Sequence, residues 1–186
     1  PASSGPGLLE RASAPLSFRP TAKVPLAHDW GRAPGAWTVI KNMSPEANIP
    51  VLQVSIDYSK GPRFHYELAK ELASLRHKGV LIMGSGNMVH NLRMVSFDKI
   101  DTEFGFDWAI EMNEVFKKHI NDRNHQALIN YENLGAAAKL AVPTPDHYHP
   151  LLSALGLRDK NENAFIFNDK FLFRNKPIQN ILTAVL

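Results

Sequence analysis

Two histidine-containing motifs hold the residues of this sequence whose types and spacing could do chemistry. The first runs from Gly84 to Arg93 and reads Gly-Ser-Gly-Asn-Met-Val-His-Asn-Leu-Arg, with His90 near its end. The second reads Pro143-Thr-Pro-Asp-His-Tyr and contains His147. An imidazole can bind a metal ion or transfer protons near neutral pH. Two imidazoles on ordered elements therefore indicate redox or hydrolytic chemistry, with each histidine either a metal ligand or an acid–base group.

The segments around both motifs are expected to hold them rigidly. Gly79–Met83 reads as a buried strand, so the glycines at 84 and 86 would let the chain turn sharply at the carboxyl end of a strand, where α/β proteins usually place ligands. The third glycine of a dinucleotide fingerprint is missing because residue 89 is valine, which disfavours a nucleotide site. Pro143 and Pro145 restrict φ in the segment before His147, which suits a residue whose side chain must be held in one orientation.

The polar neighbours of the two histidines are assigned structural roles. Asp146 could orient an imidazole or cap the helix predicted to follow it, and capping is favoured. His149 enters that helix, where residues i and i+2 face apart, so His147 alone is the candidate ligand of the second motif. Arg93 is assigned to a salt bridge rather than to substrate binding. No function is assigned to the remaining histidines, which lie in polar or helix-surface contexts: His28, His65, His77, His119 and His125.

The composition excludes several classes of protein. The chain has 186 residues, enough for one domain with a substantial core, and it contains no cysteine. A metal site would therefore use His, Asp or Glu, which favours iron, zinc or manganese. The 21 basic and 18 acidic side chains give a net charge of +3 without a dense basic cluster, so no nucleic-acid partner is expected. No apolar run approaches the roughly 18 residues of a membrane span.

The spacing of apolar residues predicts an α/β domain. Helices are predicted at residues 35–43, 62–78, 107–120 and 149–156, and strands at 49–57, 80–83, 165–173 and 178–186. The helix at 62–78 would bury one apolar face, formed by Phe64, Leu68, Leu72 and Leu75. Elements that alternate in this way predict helices layered on a sheet. We assign residues 29–186 to this domain.

Residues 1–28 are expected to form an extended arm or the remnant of another domain, with a short helix around residues 8–14. The first 25 residues are rich in Pro, Ala and Ser and contain one acid, Glu10. A flexible arm or the remnant of a truncated domain is the favoured interpretation, and the cytoplasm is the expected location. A basic, acid-poor start is also typical of organellar transit sequences, so the mitochondrial or plastid matrix is the alternative.

The motifs together resemble the 4,5-DOPA extradiol dioxygenase-like proteins, which belong to the class III extradiol ring-cleavage dioxygenases. The similarity begins with Gly35-Ala-Trp-Thr-Val-Ile-Lys-Asn-Met and Ile49-Pro-Val-Leu-Gln-Val-Ser-Ile-Asp. It continues through the segment from Gly79 to Arg93 and through Pro143-Thr-Pro-Asp-His-Tyr-His-Pro-Leu-Leu. The order and spacing of these stretches extend the similarity over nearly the whole chain from about residue 29.

This resemblance implies a fold, a chemistry and roles for the two histidines. The fold would be α/β, with a central mixed sheet flanked by helices. The chemistry would be the opening of a catechol ring by dioxygen at non-haem Fe(II), or at zinc in some relatives. His147 matches a metal ligand of the family. His90 matches the second active-site histidine of this half, either as a ligand or as the acid–base group.

Two departures from the family pattern limit these expectations. Members carry an N-terminal segment with two further metal-binding histidines, which this sequence does not contain, and an Asp-His-Gly that here reads Ala33-Pro34-Gly35. The chain alone is therefore expected to be inactive. A protein partner, or the missing N-terminal segment, is expected to cover the side of the sheet left bare. The alternative function is that of a non-catalytic subunit with a structural or interaction role in a larger assembly.

Overall fold

The computed structural model of this chain describes residues 34–46, 48–94, 105–166, 169 and 183–185. The chain divides into two compact units, residues 1–55 and residues 56–186. The expected arm at residues 1–28, its short helix and the boundary at residue 29 lie outside the described residues. They stay predictions.

Helices dominate the described elements. The first unit contains α1 (Pro34–Met43). The α-helices of the second unit are α2 (Pro62–Leu72), α3 (Asp107–Asn121), α4 (His125–Ile129), α5 (Ala136–Ala141) and α6 (His149–Gly156). Short 3-10 helices occupy Ala73–Lys78, Leu92–Met94 and Tyr131–Leu134. None of the helices in the described ranges combines the length and the apolar character needed to cross a bilayer.

The four predicted helices are confirmed, and one of them differs from the prediction at its C-terminal end. The predicted helix at 62–78 is α-helical to Leu72 and continues as a 3-10 helix, which ends at Gly79 in the left-handed conformation (φ 77°). A left-handed residue after the last turn is a position that favours glycine. In α3 the buried side chains recur at helical spacing: Ala109, Met112, Asn113, Phe116 and Ile120.

The buried face of α2 differs from the predicted one. Its two buried residues are His65 and Ala69. Helix α6 packs against α2, and a Cβ at Gly156 would lie 2.3 Å from the carbonyl oxygen of Tyr66. Because the helices approach this closely, the stripe centred on His65 and Ala69 is the one that faces the core. The predicted face is only half-buried: Phe64, Leu68, Leu72 and Leu75.

The predicted central mixed sheet is not found among the described residues. Strand β1 (Ile82–Gly84) pairs antiparallel with β2 (Thr183–Val185), and Met83 lies opposite Ala184. Residues 50–57, predicted as a strand, have neither helical nor strand structure, since no described segment pairs with them. The pairing of β2 with β1 confirms the predicted late strand at 178–186 over residues 183–185. The strand at 165–173 is not formed at 165–166, and most of its remainder lies outside the described residues.

The hydrophobic core of the second unit anchors the second histidine motif. Tyr148, next to His147, is fully buried, and its hydroxyl donates a hydrogen bond to the carbonyl oxygen of Leu128 at 2.9 Å. Its ring packs against the rings of Tyr131 and Phe116, with centroid distances of 4.5 and 5.3 Å. A buried aromatic residue whose polar tip is satisfied holds its backbone firmly. The position of His147 therefore follows from the packing of Tyr148.

Candidate functional site

The two histidine motifs pack against each other backbone to backbone. The amide of Asn87 donates a hydrogen bond to the carbonyl oxygen of His147 at 2.7 Å. A Cβ on Gly86 would lie 2.2 Å from that same oxygen, and a Cβ on Gly84 would lie 2.4 Å from the carbonyl oxygen of Pro150. Among the described glycines, only those at 79 and 135 have positive φ. The glycines of the first motif are therefore required for close approach rather than for a sharp turn.

The segment after the glycines is held by the end of α5. The amide of His90 donates to the carbonyl oxygen of Ala141 at 2.9 Å. The side-chain amide of Asn91 donates to the carbonyl oxygen of Leu140, also at 2.9 Å. The side chains of Met88 and Val89 are buried in the core. Sequence reasoning assigned no role to Asn91, although an asparagine directly after a candidate histidine is a residue that could fix the local backbone.

The ring of His90 is buried between two backbone carbonyls. Nδ1 lies 3.1 Å from the carbonyl oxygen of Asn87, and Nε2 lies 2.8 Å from that of Thr144. A neutral imidazole carries one N–H, so it can donate to only one of them, whereas the protonated ring can donate to both. Burial lowers the pKa of His90, and the carbonyl of Thr144 opposes that shift without cancelling it. His90 is therefore a fixed imidazole that favours its neutral state.

His147 is the exposed member of the pair. Its ring lies 5.1 Å from the ring of His90, centroid to centroid, and half of its side-chain surface is accessible. The carboxylate of Asp146 lies 3.3 Å from Nε2 of His147. Burial pushes the pKa of Asp146 upward, but the hydrogen bond from the Thr144 hydroxyl and the nearby imidazoles outweigh it, so this pKa is lowered. Asp146 thus carries its negative charge beside His147.

The predicted capping role of Asp146 is wrong. Helix α6 has Tyr148 at its N-cap position, and no side chain caps it. The carboxylate instead contacts the neighbouring imidazole, which is the interpretation the sequence disfavoured. The salt bridge assigned to Arg93 is also not found, because this exposed side chain pairs with no carboxylate in the described part of the chain. Tyr148 initiates the helix without a side-chain cap because Pro150 supplies a preset φ in the first turn.

Two further histidines are buried behind the second motif. The ring of His149 lies 4.3 Å from that of His65, centroid to centroid, and only 1% of His149 is exposed. Neither ring nitrogen of His149 has a hydrogen-bond partner among the described residues. His65 contacts the carbonyl oxygen of Asp57 through Nε2 at 3.2 Å. Sequence reasoning missed His65, and its i, i+4 spacing to Ala69 on α2 is the signal that could have found it.

This buried pair predicts a loss of stability in mild acid. Burial lowers the pKa of His149 from 6.5 to about 4, and the nearby His65 adds to the shift. Between these values the unfolded chain binds a proton that the folded chain does not. The free energy of unfolding should therefore fall as the pH drops from 6.5 towards 4, by about 3 kcal/mol for His149. Urea unfolding of the metal-free protein at several pH values measures this loss.

A variant isolates the contribution of His149 from that of other groups. His149→Phe keeps a planar ring against His65 and removes the titrating nitrogens, while Asp146 and His65, which face this position, still titrate. We expect its free energy of unfolding to fall less steeply between pH 6.5 and 4.5 than that of the parent. Equal slopes for the two proteins would contradict the assignment.

The described residues do not form a complete metal site by themselves. Within them, no three His, Asp or Glu side chains come together in a way that could hold a metal ion. Catalytic metal sites usually have three protein ligands and an open position. His90 and His147 are the only predicted candidates, and the nitrogens of His90 already face carbonyl oxygens. Of these two candidates, only His147 therefore offers an accessible imidazole as a donor.

The sequence of this chain matches a known protein family. Residues 28–182 match the family described as the catalytic LigB subunit of aromatic ring-opening dioxygenase, and the chain belongs to this family. The resemblance to the 4,5-DOPA extradiol dioxygenase-like proteins is thus confirmed.

Individual relatives agree with this membership. The chain is 37% identical over 168 residues to the 4,5-DOPA dioxygenase extradiol of Escherichia coli K12, covering 87% of this chain and 59% of the relative. It is 32% identical over 139 residues to the protein of the same name from Beta vulgaris, covering 74% and 50%. The chain therefore spans between half and three fifths of the length of these relatives.

A solved structure is similar throughout the chain. The crystal structure of an uncharacterized protein from Escherichia coli K12 superposes with a TM-score of 0.77 at 33% sequence identity. The similarity covers 96% of this chain and 71% of the other. The fold described above is therefore a fold of this family, and the two-stranded sheet of the described residues does not confirm the predicted central mixed sheet.

Proposed function

We propose that this chain takes part in opening the ring of a catechol-type molecule with dioxygen. His90 would act as the acid–base group, and His147 would contribute to holding a non-haem metal, with iron expected and zinc as the alternative. The observation that carries the proposal is the packing of the two glycine- and proline-containing turns, which leaves the two imidazole rings 5.1 Å apart. Membership of an aromatic ring-opening family supports the reaction class.

The environment of His90 suits proton transfer. Its ring is held by two carbonyl contacts, and burial lowers its pKa, so the neutral form that accepts a proton persists below pH 6.5. Once protonated, the ring can donate to both carbonyls, which offsets part of the cost of a buried charge. To take a proton from a phenolic hydroxyl and later return it, the ring would exchange one of its carbonyl contacts for a contact with the substrate.

The environment of His147 suits a role as a metal donor. The carboxylate of Asp146 beside Nε2 favours a proton on that nitrogen, which leaves the lone pair on Nδ1. Metal-binding histidines commonly donate their second nitrogen to a carboxylate in this way. The remaining donors would have to come from outside the described residues. We therefore derive no catalytic step through the metal, and His147 contributes only the binding of one position.

Oxygen uptake tests the proposal. The chain, completed by a segment that supplies the remaining metal ligands and supplied with Fe(II) and a catechol such as 4-methylcatechol, should consume one O₂ per catechol and form a ring-opened product. The matched control is the variant His147→Ala, which changes an exposed side chain and should retain the fold. Turnover that disappears in this variant supports the proposal. A completed protein that binds iron but stays inactive would contradict the proposal and favour the second candidate.

The second candidate is a non-catalytic subunit of a larger assembly. It is favoured by Pro34, the first residue of α1, which stands where the family pattern has a histidine and which cannot bind a metal. In the first unit, Ile49, Leu52 and Val54 are more than half exposed, which supports a covering partner. Metal analysis of the purified chain discriminates between the candidates. Stoichiometric iron or zinc would exclude the non-catalytic function.

A further inference from the structure

A cleft beside the second histidine motif is lined by two lysines that have no role in the proposed ring-opening chemistry. It has a volume of about 470 Å³, and it lies between the start of α2 and the segments that carry α5 and Pro143. Pro143 and Pro145 form part of its wall, together with Tyr131. We call it the lysine cleft, because Lys60 and Lys139 both line it. A cavity of this volume is in the range of small-molecule sites.

The charges lining the cleft favour an anion. Neither Lys60 nor Lys139 forms an ion pair within 4 Å with a carboxylate of the described residues. Glu132 is the one acid in the lining, so the two lysines leave an excess of one positive charge. Asp57 also lies close enough to Lys60 for the lysine to lower the pKa of that carboxyl, although hydrogen bonds from Ser59 are the larger cause. An anion in the cleft would compete with these acids for the lysines.

The start of α2 adds to the positive potential. Gly61 occupies the N-cap position in an extended conformation, Pro62 begins the helix, and both line the cleft. No side chain caps this end, and the first turn contains no acid. The amino end of an eleven-residue helix carries a partial positive charge and favours a bound anion.

His149 supplies an independent indication of a ligand. It forms part of the lining, it is 1% exposed, and both of its ring nitrogens lack a partner among the described residues. A buried polar group without a partner costs free energy unless a ligand, a water or a small movement satisfies it. Because both nitrogens are buried, a ligand oxygen that enters the cleft from the lysine side would reach one of them after a small movement of the ring.

We propose that the lysine cleft binds a small organic carboxylate, as a site separate from the pair formed by His90 and His147. Lys60 and Lys139 attract the carboxylate, the open end of α2 adds favourable potential, and His149 offers a hydrogen bond. The proline and tyrosine walls contact the apolar body of the ligand. The ligand is therefore an acid with a flat or compact apolar part, rather than a bare inorganic anion.

Calorimetric titration with benzoate tests this site without metal, oxygen or turnover. We expect benzoate to bind the full chain at constant ionic strength and to bind more weakly as salt is added. Benzamide has the same shape without the charge and should bind at least about tenfold more weakly. Sulfate is the control for a general attraction of anions, and it should bind more weakly than benzoate does. Equal affinity for benzoate and benzamide, or for benzoate and sulfate, would overturn the proposal.

Charge variants locate the binding. Lys60→Gln and Lys139→Gln should each weaken benzoate binding about threefold, and the double variant about tenfold. Glu132→Gln should strengthen binding. Lys78→Gln removes an exposed lysine outside the cleft and should leave the affinity unchanged. If the double variant binds benzoate as well as the Lys78→Gln control does, the site is not the lysine cleft. Because no catechol is used, the result is independent of the ring-opening assay.

Discussion

Gly86→Ala is expected to destabilise the protein by about 2–4 kcal/mol. The new Cβ would lie 2.2 Å from the carbonyl oxygen of His147, and the atom it meets belongs to the backbone of a packed turn. Relief of that overlap must move one turn away from the other, which weakens the hydrogen bond from Asn87 to His147. Overpacking of this kind costs about 1–3 kcal/mol, and a weakened buried hydrogen bond adds about 1 kcal/mol.

Urea unfolding of three proteins measures this effect. The matched control is Gly61→Ala, because a Cβ on Gly61 meets no atom within 4 Å and its φ of −76° suits any residue. Its stability should change by about 1 kcal/mol at most, since a small loss at the helix cap is offset by a less flexible unfolded chain. A Gly86→Ala protein as stable as the control would show that the two turns do not pack this closely.

His90→Ala is expected to reduce ring opening by about 10²- to 10⁴-fold, the usual contribution of a positioned acid–base group. The substitution also leaves the carbonyl oxygens of Asn87 and Thr144 without the ring, at a cost of about 1–3 kcal/mol in stability. His90→Gln keeps one side-chain donor near these carbonyls, so it should fold more stably than His90→Ala and be similarly inactive. His77→Ala, at an exposed position, should retain both activity and stability.

The protonation of His90 can be followed without turnover. NMR titration of its ring protons should give a pKa below 6.5, because desolvation of the buried ring outweighs the attraction of the carbonyls. If His90 is the base, the rate of ring opening should then fall only as the pH drops through this lowered value. A pKa at or above 6.5, or a rate that falls well above the measured pKa, would contradict the proposed role.

The sequence predicted those parts of the fold that depend on local periodicity. Helix α3 is an example, because its apolar residues repeat every three or four positions and its boundaries follow from that repeat alone. The strand predicted at 49–57 has the same kind of local signal, yet no strand forms there. A strand requires a neighbour that supplies hydrogen bonds, and nothing in its own residues provides one.

The candidate site was predicted in its residues but not in its geometry. The motifs of His90 and His147 were both identified, although more than 50 residues separate them and no spacing rule brings them together. The contact depends on Gly86. A glycine is required there because the backbone of the other turn lies too close for a Cβ, and not because of its own backbone torsion angles. His65 was missed for a similar reason, because the face that α2 buries is set by the approach of α6.

The backbone contact between the two turns bears on how this protein can be altered. The contact uses main-chain atoms and two glycines, and the ring of His90 adds a hydrogen bond to the carbonyl oxygen of Thr144. Ser85 and Thr144 are exposed and flank the histidine pair in sequence. A saturation library at these two positions would vary the surroundings of His90 and His147 while the backbone contact at Gly86 is kept, and substitutions of Thr144 would also remove the hydroxyl that hydrogen-bonds Asp146. The same architecture that tolerates no methyl group at residue 86 therefore leaves its neighbours open to directed evolution.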